Sequence, residues 1–286
     1  MEAITSKLWR HFKDMRDLGP AVITRLFRRP DWRGYSVART RYGDFFIRRF
    51  DTDLLVLRQV FVSREYDLDR FPQGKIVRGA YNDMLHRHRT PLIIDAGANA
   101  GYTSRYFAQM YPQAQIFAVE PEAGNAALCR ANVANLKQVN VVEAAIGSRP
   151  GHVSVEHTVG ASWGTRTQRS ESGVPIVTID ELRARIRDSE LLIVKVDIEG
   201  FESDLFLNPT WIAETLTVIV EPHDWMLPGE GTSRALQRAM LREDCELLIS
   251  GDNIIWIRHA TEAILDEGGG KPKRKGRGVA TCAHDV

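Results

Sequence analysis

Short apolar segments alternate with segments of helical periodicity between residues 91 and 259. The apolar segments predict strands at 92–96, 115–120, 139–144, 191–196 and 216–221. Strands that alternate with amphipathic helices are typical of a parallel sheet with helices on both faces. The last two apolar segments, 245–249 and 254–257, are joined by Ser-Gly-Asp-Asn and predict a β-hairpin. The pattern therefore predicts a mostly parallel α/β sheet that ends in an antiparallel hairpin.

One segment departs from this alternation. Residues 152–159 predict a strand, and the small and polar residues of 160–173 predict a long loop. Loops of this kind often carry substrate contacts, so this loop is a candidate for them. A short strand at 175–179 and a helix at 180–187 follow.

Residues 1–90 are rich in arginine and aromatic side chains and form an N-terminal extension that we expect to be helical. Residues 1–18 place apolar side chains at helical spacing among basic ones, which predicts an amphipathic helix. We expect this helix to pack on its own domain or on a partner subunit, with membrane-surface binding as the alternative. A strand at 45–49 and a helix at 53–62 follow.

The chain ends in a segment of different composition. Residues 261–286 contain a glycine run and a basic cluster with few apolar residues, which predicts a disordered tail. We therefore predict three parts, namely an N-terminal extension at 1–90, a main domain at 91–260 and this tail.

Composition and charge limit the class of protein. The 286 residues are 43% hydrophobic, which is enough for a large α/β core. The formal net charge of +1 gives no general reason to expect nucleic-acid binding. The three cysteines lack metal-ligand spacing, and no apolar run is long enough to cross a bilayer. We expect a cytoplasmic protein without a transmembrane segment or a nucleic-acid partner.

The first predicted strand runs directly into the turn Asp95-Ala-Gly97-Ala-Asn99-Ala-Gly101. Glycine allows backbone angles and a close approach that a side chain would prevent, and the following helix would direct free N–H groups at a ligand. The run lacks the Gly-x-Gly-x-x-Gly spacing of dinucleotide loops, which disfavours an NAD site. An acid before the first glycine suits a cationic ligand, such as the amino-acid part of S-adenosylmethionine.

A second acid ends the next predicted strand. Glu120 follows an apolar run and precedes Pro121, about 20 residues after the glycine turn. An acid at this position of such folds accepts hydrogen bonds from ribose hydroxyls. A carboxylate has enough acceptor sites for a diol and would repel a 2′-phosphate. The two strand ends together predict a site for a nucleoside.

Acids also end the later strands. The run Lys195-Val-Asp197-Ile-Glu199-Gly places Lys195 and Asp197 on the same side of a strand. Glu221 ends the next strand, and His223 follows it as a candidate general base. Because ligands of open α/β sheets bind at the carboxyl ends of the strands, we expect these acids to share one crevice with those of the first two strands.

These motifs together resemble the FkbM family of S-adenosylmethionine-dependent methyltransferases. The matching segments are 95–101, 119–121, 178–180, 195–200 and 220–222. The resemblance implies a class I methyltransferase fold, a Rossmann-like seven-stranded sheet that is mostly parallel with a C-terminal antiparallel hairpin. It also implies S-adenosyl-L-methionine as the cofactor.

The resemblance further implies a set of cofactor-binding residues. They are Asp95, Gly97, Asn99 and Gly101 on the methionine side, Glu120 and Pro121 at the ribose, Ala145 and Ile146 beside the adenine, and Asp197 nearest the sulfonium.

The activity implied is O-methylation of a hydroxyl on a sugar, a glycan or a secondary metabolite. An alcohol must lose its proton as the new bond forms, so Asp197, Glu199 and His223 are candidate catalytic residues. A divalent metal held by Asp197, Glu199 and Glu221 is an alternative to a protein base, although no metal site is predicted.

Three other functions fit parts of the pattern. They are N-methylation of a small amine, a nucleotide-binding oxidoreductase of similar fold, and a non-catalytic binding module that uses the arginine-rich N-terminus. The spacing of the glycines disfavours the oxidoreductase, and an acid at each strand end disfavours the binding module. We expect a small-molecule or glycan acceptor, and a homo-oligomer formed through the N-terminal extension is an open alternative to a monomer.

Overall fold

The computed structural model describes residues 13–22, 34–48, 52–157 and 165–259. Most of the predicted N-terminal amphipathic helix and the tail at 261–286 lie outside these residues. Among the described residues, no helix combines the length and apolar character that crossing a membrane requires.

The N-terminal part contains a β-hairpin as well as helices. Its elements are β1 (Tyr35–Thr40), β2 (Gly43–Arg48), α1 (Asp53–Phe61) and α2 (Gly74–His86). The observed β2 and α1 agree with the predicted strand and helix, whereas β1 was not predicted. Its inward residues, Ser36 and Ala38, are small and give no apolar alternation. The described part of the extension therefore combines the expected helices and strand with one further strand.

The rest of the chain alternates strands and helices. Its elements are β3 (Thr90–Ala96), α3 (Tyr102–Met110), β4 (Gln115–Val119), α4 (Ala123–Val133), β5 (Val139–Val142), β6 (Ala145–Ile146), β7 (Gly151–His157), β8 (Thr165–Ser170), β9 (Val174–Val177), α5 (Ile179–Ala184), β10 (Ser189–Val196), α6 (Glu202–Leu205), β11 (Thr217–Val220), α7 (Arg234–Met240), β12 (Cys245–Ser250) and β13 (Asn253–Arg258).

Seven of these strands form the central sheet, in the order β12-β13-β11-β10-β3-β4-β5. The neighbours from β11 to β5 run parallel. Strand β13 is antiparallel to both β11 and β12. The predicted seven-stranded, mostly parallel sheet with a closing antiparallel hairpin is confirmed.

The register of the sheet brings the candidate site together. The last residues of four parallel strands, Val119, Ala96, Val196 and Val220, are paired across the sheet in one row. The next residue of each chain segment therefore begins a loop at the same edge. Strands β3 and β10 lie at the centre and are fully buried at most positions, which makes this edge a rigid support.

A second, smaller sheet lies beside this edge. Its order is β6-β9-β7-β8, and β8 pairs antiparallel with β7. The prediction of a loop over 160–173 is wrong for residues 165–170, which form β8, while 158–164 lie outside the described residues. Strand β8 is an edge strand of polar side chains, so it lacks the apolar alternation from which strands are predicted.

The N-terminal part shares its hydrophobic core with the central sheet. Phe45 of β2 makes an edge-on ring contact with Tyr102 of α3, at 5.7 Å between ring centres. Asn132 of α4 accepts a hydrogen bond from the Phe46 backbone N–H at 2.8 Å and donates one to the Phe46 carbonyl at 3.0 Å. These contacts fix the helices that follow β3 and β4, and thereby the loops that precede them.

Candidate cofactor cavity and acidic cluster

A cavity opens at the carboxyl edge of the central sheet. Its lining residues are Gly97, Asn99, Val119, Glu120, Pro121, Asn125, Ala144, Ala145, Ile146, Thr167, Asp197, Ile198, Glu199 and Phe201. Most of the predicted site residues are among them. Asp95, Gly101 and His223 are not.

The glycine turn after β3 is shaped by close contacts. Gly97 has φ +75°, and a Cβ there would overlap the carbonyl oxygen of Asp197. Gly101 has φ +81° and precedes α3, and a Cβ there would lie 2.7 Å from Cys129 Sγ. Gly101 thus acts through packing beneath the turn, whereas Gly97 faces the cavity.

Asp95 lies below the turn and is fully buried. Its carboxylate forms an ion pair with Lys195 Nζ at 3.2 Å and accepts a hydrogen bond from Ser104 Oγ at 2.6 Å. Lys195 also donates to the Gly97 carbonyl at 2.8 Å. A buried carboxylate requires such compensation. In this structure Asp95 supports the turn from beneath and does not line the cavity.

Glu120 is held by three donors. Its carboxylate accepts hydrogen bonds from the backbone N–H groups of Asn99 at 2.8 Å and Glu122 at 3.0 Å, and from Asn125 Nδ2 at 3.3 Å. Burial raises the pKa of Glu120, and these hydrogen bonds oppose that rise. The side chain is thus oriented at the wall of the cavity.

The remaining wall on this side is apolar. Pro121 follows β4, Ala144 directly precedes β6, and Ala145 and Ile146 form β6. Asn99 also lines the cavity, and its Oδ1 is buried without a hydrogen-bond partner among the described residues. An apolar slot beside a few oriented polar atoms is typical of a small-molecule site.

Asp197 and Glu199 lie on the opposite wall, after β10. Oxygen Oδ2 of Asp197 is 3.4 Å from Lys195 Nζ, so one lysine contacts the acids of both β3 and β10. This agrees with the predicted placement of Lys195 and Asp197 on the same side of the strand. Glu199 has φ +51° and lines the cavity.

His223 lies behind Asp197, buried among carboxylates. Its Nδ1 is 2.7 Å from Oε1 of the buried Glu202, and its Nε2 is 3.5 Å from Asp197 Oδ1 and 3.9 Å from Glu221 Oε1. Burial alone would lower the pKa of His223, but the hydrogen bond to Glu202 and the charge of Asp197 raise it to about 9. Burial, followed by the charge of Asp197, raises the pKa of Glu221 to about 7.

Two residues of this network were not assigned a role from the sequence. Glu202 is the partner of His223 and comes from α6, and the only sequence signal for it is its spacing three residues after Glu199. Asn125 contacts Glu120 from α4. Neither residue stands at a strand end, which is where the sequence pattern directs attention.

The strand order and the cavity at the carboxyl edge define a Rossmann-like α/β fold of the class I methyltransferase type. Residues 95–245, more than half of the chain, match the methyltransferase FkbM domain. The chain belongs to the FkbM methyltransferase family. This confirms the family and the enzyme class that the sequence motifs predicted.

The chain is also similar to individual proteins. The 2-O-methyltransferase NoeI of Sinorhizobium fredii is 39% identical over 70 residues, which cover 24% of this chain and 29% of NoeI. Among solved structures, the O-methyltransferase TomG of Streptomyces achromogenes is 15% identical, covering 74% of this chain and 92% of TomG with a TM-score of 0.37. A methyltransferase of Geobacter sulfurreducens is 16% identical, covering 75% of this chain and 91% of that one with a TM-score of 0.36.

Proposed function

We propose that this protein transfers a methyl group from S-adenosylmethionine to a hydroxyl of a sugar, a glycan or a secondary metabolite. Family membership supports the methyl-transfer class. The observation that carries the proposal is the cavity where Gly97, Asn99 and Glu120 face Asp197 across the sheet edge. The local match to a 2-O-methyltransferase supports oxygen as the acceptor atom.

The residues on the β3 and β4 side fit the cofactor. Gly97 allows a ligand to approach the backbone closely, and the unpaired Asn99 Oδ1 offers a buried acceptor. The oriented carboxylate of Glu120 suits the ribose hydroxyls, and the apolar wall at Ala145 and Ile146 suits the adenine ring. S-adenosylmethionine supplies an electrophilic methyl group when bound.

The other wall supplies the groups that act on the acceptor. Asp197 and Glu199 are the carboxylates of this wall, so we assign them to orienting the hydroxyl and accepting its proton. Lys195 and His223 contact Asp197 from behind and hold it in position. His223 does not line the cavity and is therefore assigned a positioning role.

Replacing Asp197 tests this proposal. We expect Asp197→Asn to lower kcat by about 10²- to 10⁴-fold while S-adenosylmethionine binding stays measurable, because general-base catalysis and orientation are lost. Binding is measured by calorimetry, and transfer by mass spectrometry on a panel of sugars with the 2-hydroxyl free or blocked, together with simple amines. Asp244→Asn, which changes an exposed acid outside the cavity, is the matched control.

Two outcomes would overturn the proposal. Full activity of Asp197→Asn would remove Asp197 from the site, and a methyl group recovered on amines but not on sugars would change the acceptor class to nitrogen. The cytoplasmic location and the oligomeric state stay predictions.

A further inference from the structure

We propose that Asp197, Glu221 and His223 bind a divalent transition-metal ion, with Zn²⁺ as the best match, at the wall of the cavity. One ligand atom from each residue lies within 4.8 Å of the others. The set combines two carboxylates with one imidazole from the loops after β10 and β11. It differs from the carboxylate set considered from the sequence, because His223 takes the place of Glu199.

The environment of His223 is that of a metal ligand. Its ring is nearly fully buried, and its Nδ1–H donates to the buried Glu202 carboxylate at 2.7 Å. Metal-bound histidines are commonly held in this way, with one nitrogen fixed by a carboxylate and the other directed at the ion. Here the other nitrogen, Nε2, faces Asp197 Oδ1 and Glu221 Oε1.

The distances between the donors match the size of the ion. Two donors about 2.1 Å from Zn²⁺ at a tetrahedral angle lie about 3.4 Å apart. The His223 nitrogen is 3.5 Å from Asp197 Oδ1 and 3.9 Å from Glu221 Oε1, and the three donor atoms lie within 4.8 Å of one another, so the two carboxylates must move inward to coordinate the ion. Lys195 contacts the other oxygen of Asp197, Oδ2, which leaves Oδ1 for the ion. Three protein ligands leave the fourth coordination position of the ion open for water or substrate.

The balance of charge in the cluster also favours a cation. The carboxylates of the cluster are Asp95, Asp197, Glu202 and Glu221. Within the described part of the chain, Lys195 and His223 are the basic groups that contact them, so even with both protonated the carboxylates are in excess. Oxygen Oε2 of Glu202 is buried without a hydrogen-bond partner among the described residues. Uncompensated buried charge is costly, and a divalent ion removes the excess.

The role of the ion rests on the proposed function, whereas its binding does not. Coordination of the acceptor hydroxyl at the open position lowers the pKa of that hydroxyl. With the ion bound, Asp197 is one of its ligands, so Glu199 alone takes the hydroxyl proton. The oxygen takes the methyl group, and the sulfur keeps the electron pair of the broken bond.

Zinc binding by the metal-stripped full-length chain, without S-adenosylmethionine, tests the proposal. Calorimetric titration with Zn²⁺ should show a site in the wild type that His223→Asn abolishes. Glu202→Gln should weaken this site by about 10- to 100-fold, as expected for a group that positions a ligand. His259→Asn is the matched control. His259 also lies near two carboxylates, at 3.6 and 3.7 Å, but each contacts a different ring nitrogen on a half-exposed side chain.

The same titration separates the proposal from a purely structural ion network. No zinc binding by the wild type, or equal binding by the wild type and His223→Asn, would overturn the metal site without affecting the proposed cofactor site. If His223→Asn does not fold, as judged by circular dichroism, Glu221→Gln removes a less buried ligand and must weaken zinc binding if the proposal holds.

Discussion

The two walls of the cavity both carry acids, but they neutralise them differently. On the β3 and β4 side, each carboxylate contacts more than one donor group. Asp95 is paired with Lys195 and Ser104, and Glu120 accepts two backbone hydrogen bonds and one from Asn125. This wall is complete before any ligand binds, as expected of a preorganised site for a polar nucleoside.

On the β10 and β11 side, three carboxylates converge on one histidine. Asp197, Glu202 and Glu221 all lie within 4 Å of a ring nitrogen of His223. Glu120 is held mainly by backbone donors, whereas on this wall several negatively charged side chains lie close to one another. This difference is the basis for proposing that the first wall holds the cofactor and that the second wall binds a cation or takes up a proton.

Lys195 contacts acids of both walls, and we expect its replacement to have the largest effect of the changes considered, on the free energy of unfolding. Lys195→Met leaves Asp95 buried without its counter-ion, and breaking a buried pair in this way costs about 3–5 kcal/mol. We expect the free energy of unfolding in urea to fall by that amount. The exposed Lys137→Met should change it by less than about 0.5 kcal/mol. Equal stability of the two variants would show that Asp95 does not depend on Lys195.

Gly97 sets the distance between the walls, and its replacement should have the next largest effect. Gly97→Ala adds backbone strain at φ +75° and an overlap with the Asp197 carbonyl, which together cost about 3 kcal/mol. We expect a loss in unfolding free energy and in S-adenosylmethionine affinity by calorimetry. Gly229→Ala is matched for strain, at φ +91°, but has nothing within 4 Å of the added Cβ. A Gly229 variant as impaired as the Gly97 variant would exclude the close approach of the walls as the cause.

The sequence predicted the first wall better than the second, for a physical reason. A glycine turn and an acid at a strand end are local features, and the row of paired strand ends brings Gly97, Glu120 and Asp197 together in any sheet of this order. The contact of Glu202 with His223 joins α6 to the loop after β11, across 21 residues. It depends on how those loops fold, which no local periodicity encodes.

The position of Asp95 illustrates the same limit. The sequence places an acid before the first glycine but does not say whether its carboxylate points into the cavity or beneath it. That orientation depends on the pairing of Asp95 with Lys195 across β3 and β10, which buries both side chains. Strand β8 escaped prediction for a related reason, because its pairing with β7 supplies backbone hydrogen bonds that do not require apolar residues.

Replacing Glu120 should have the smallest effect of the three changes, and it should affect only the ligand of the first wall. Glu120→Gln keeps the shape of the side chain and one oxygen, which can still accept from the Asn99 N–H. Its amide nitrogen replaces the oxygen that accepts from the Glu122 N–H and from Asn125, so circular dichroism must first show that the fold is retained. The variant loses the charge that strengthens hydrogen bonds from ribose hydroxyls, which is worth about 1.5–3 kcal/mol, or roughly 10- to 100-fold in affinity. Calorimetry should show this loss for S-adenosylmethionine with zinc binding unchanged, because the cluster around His223 lies on the other wall. Glu122→Gln, which alters the half-buried cap of α4, should leave both affinities unchanged. A parallel loss of cofactor and zinc binding in Glu120→Gln would mean that the two walls act as one site, and the comparison between them would fail.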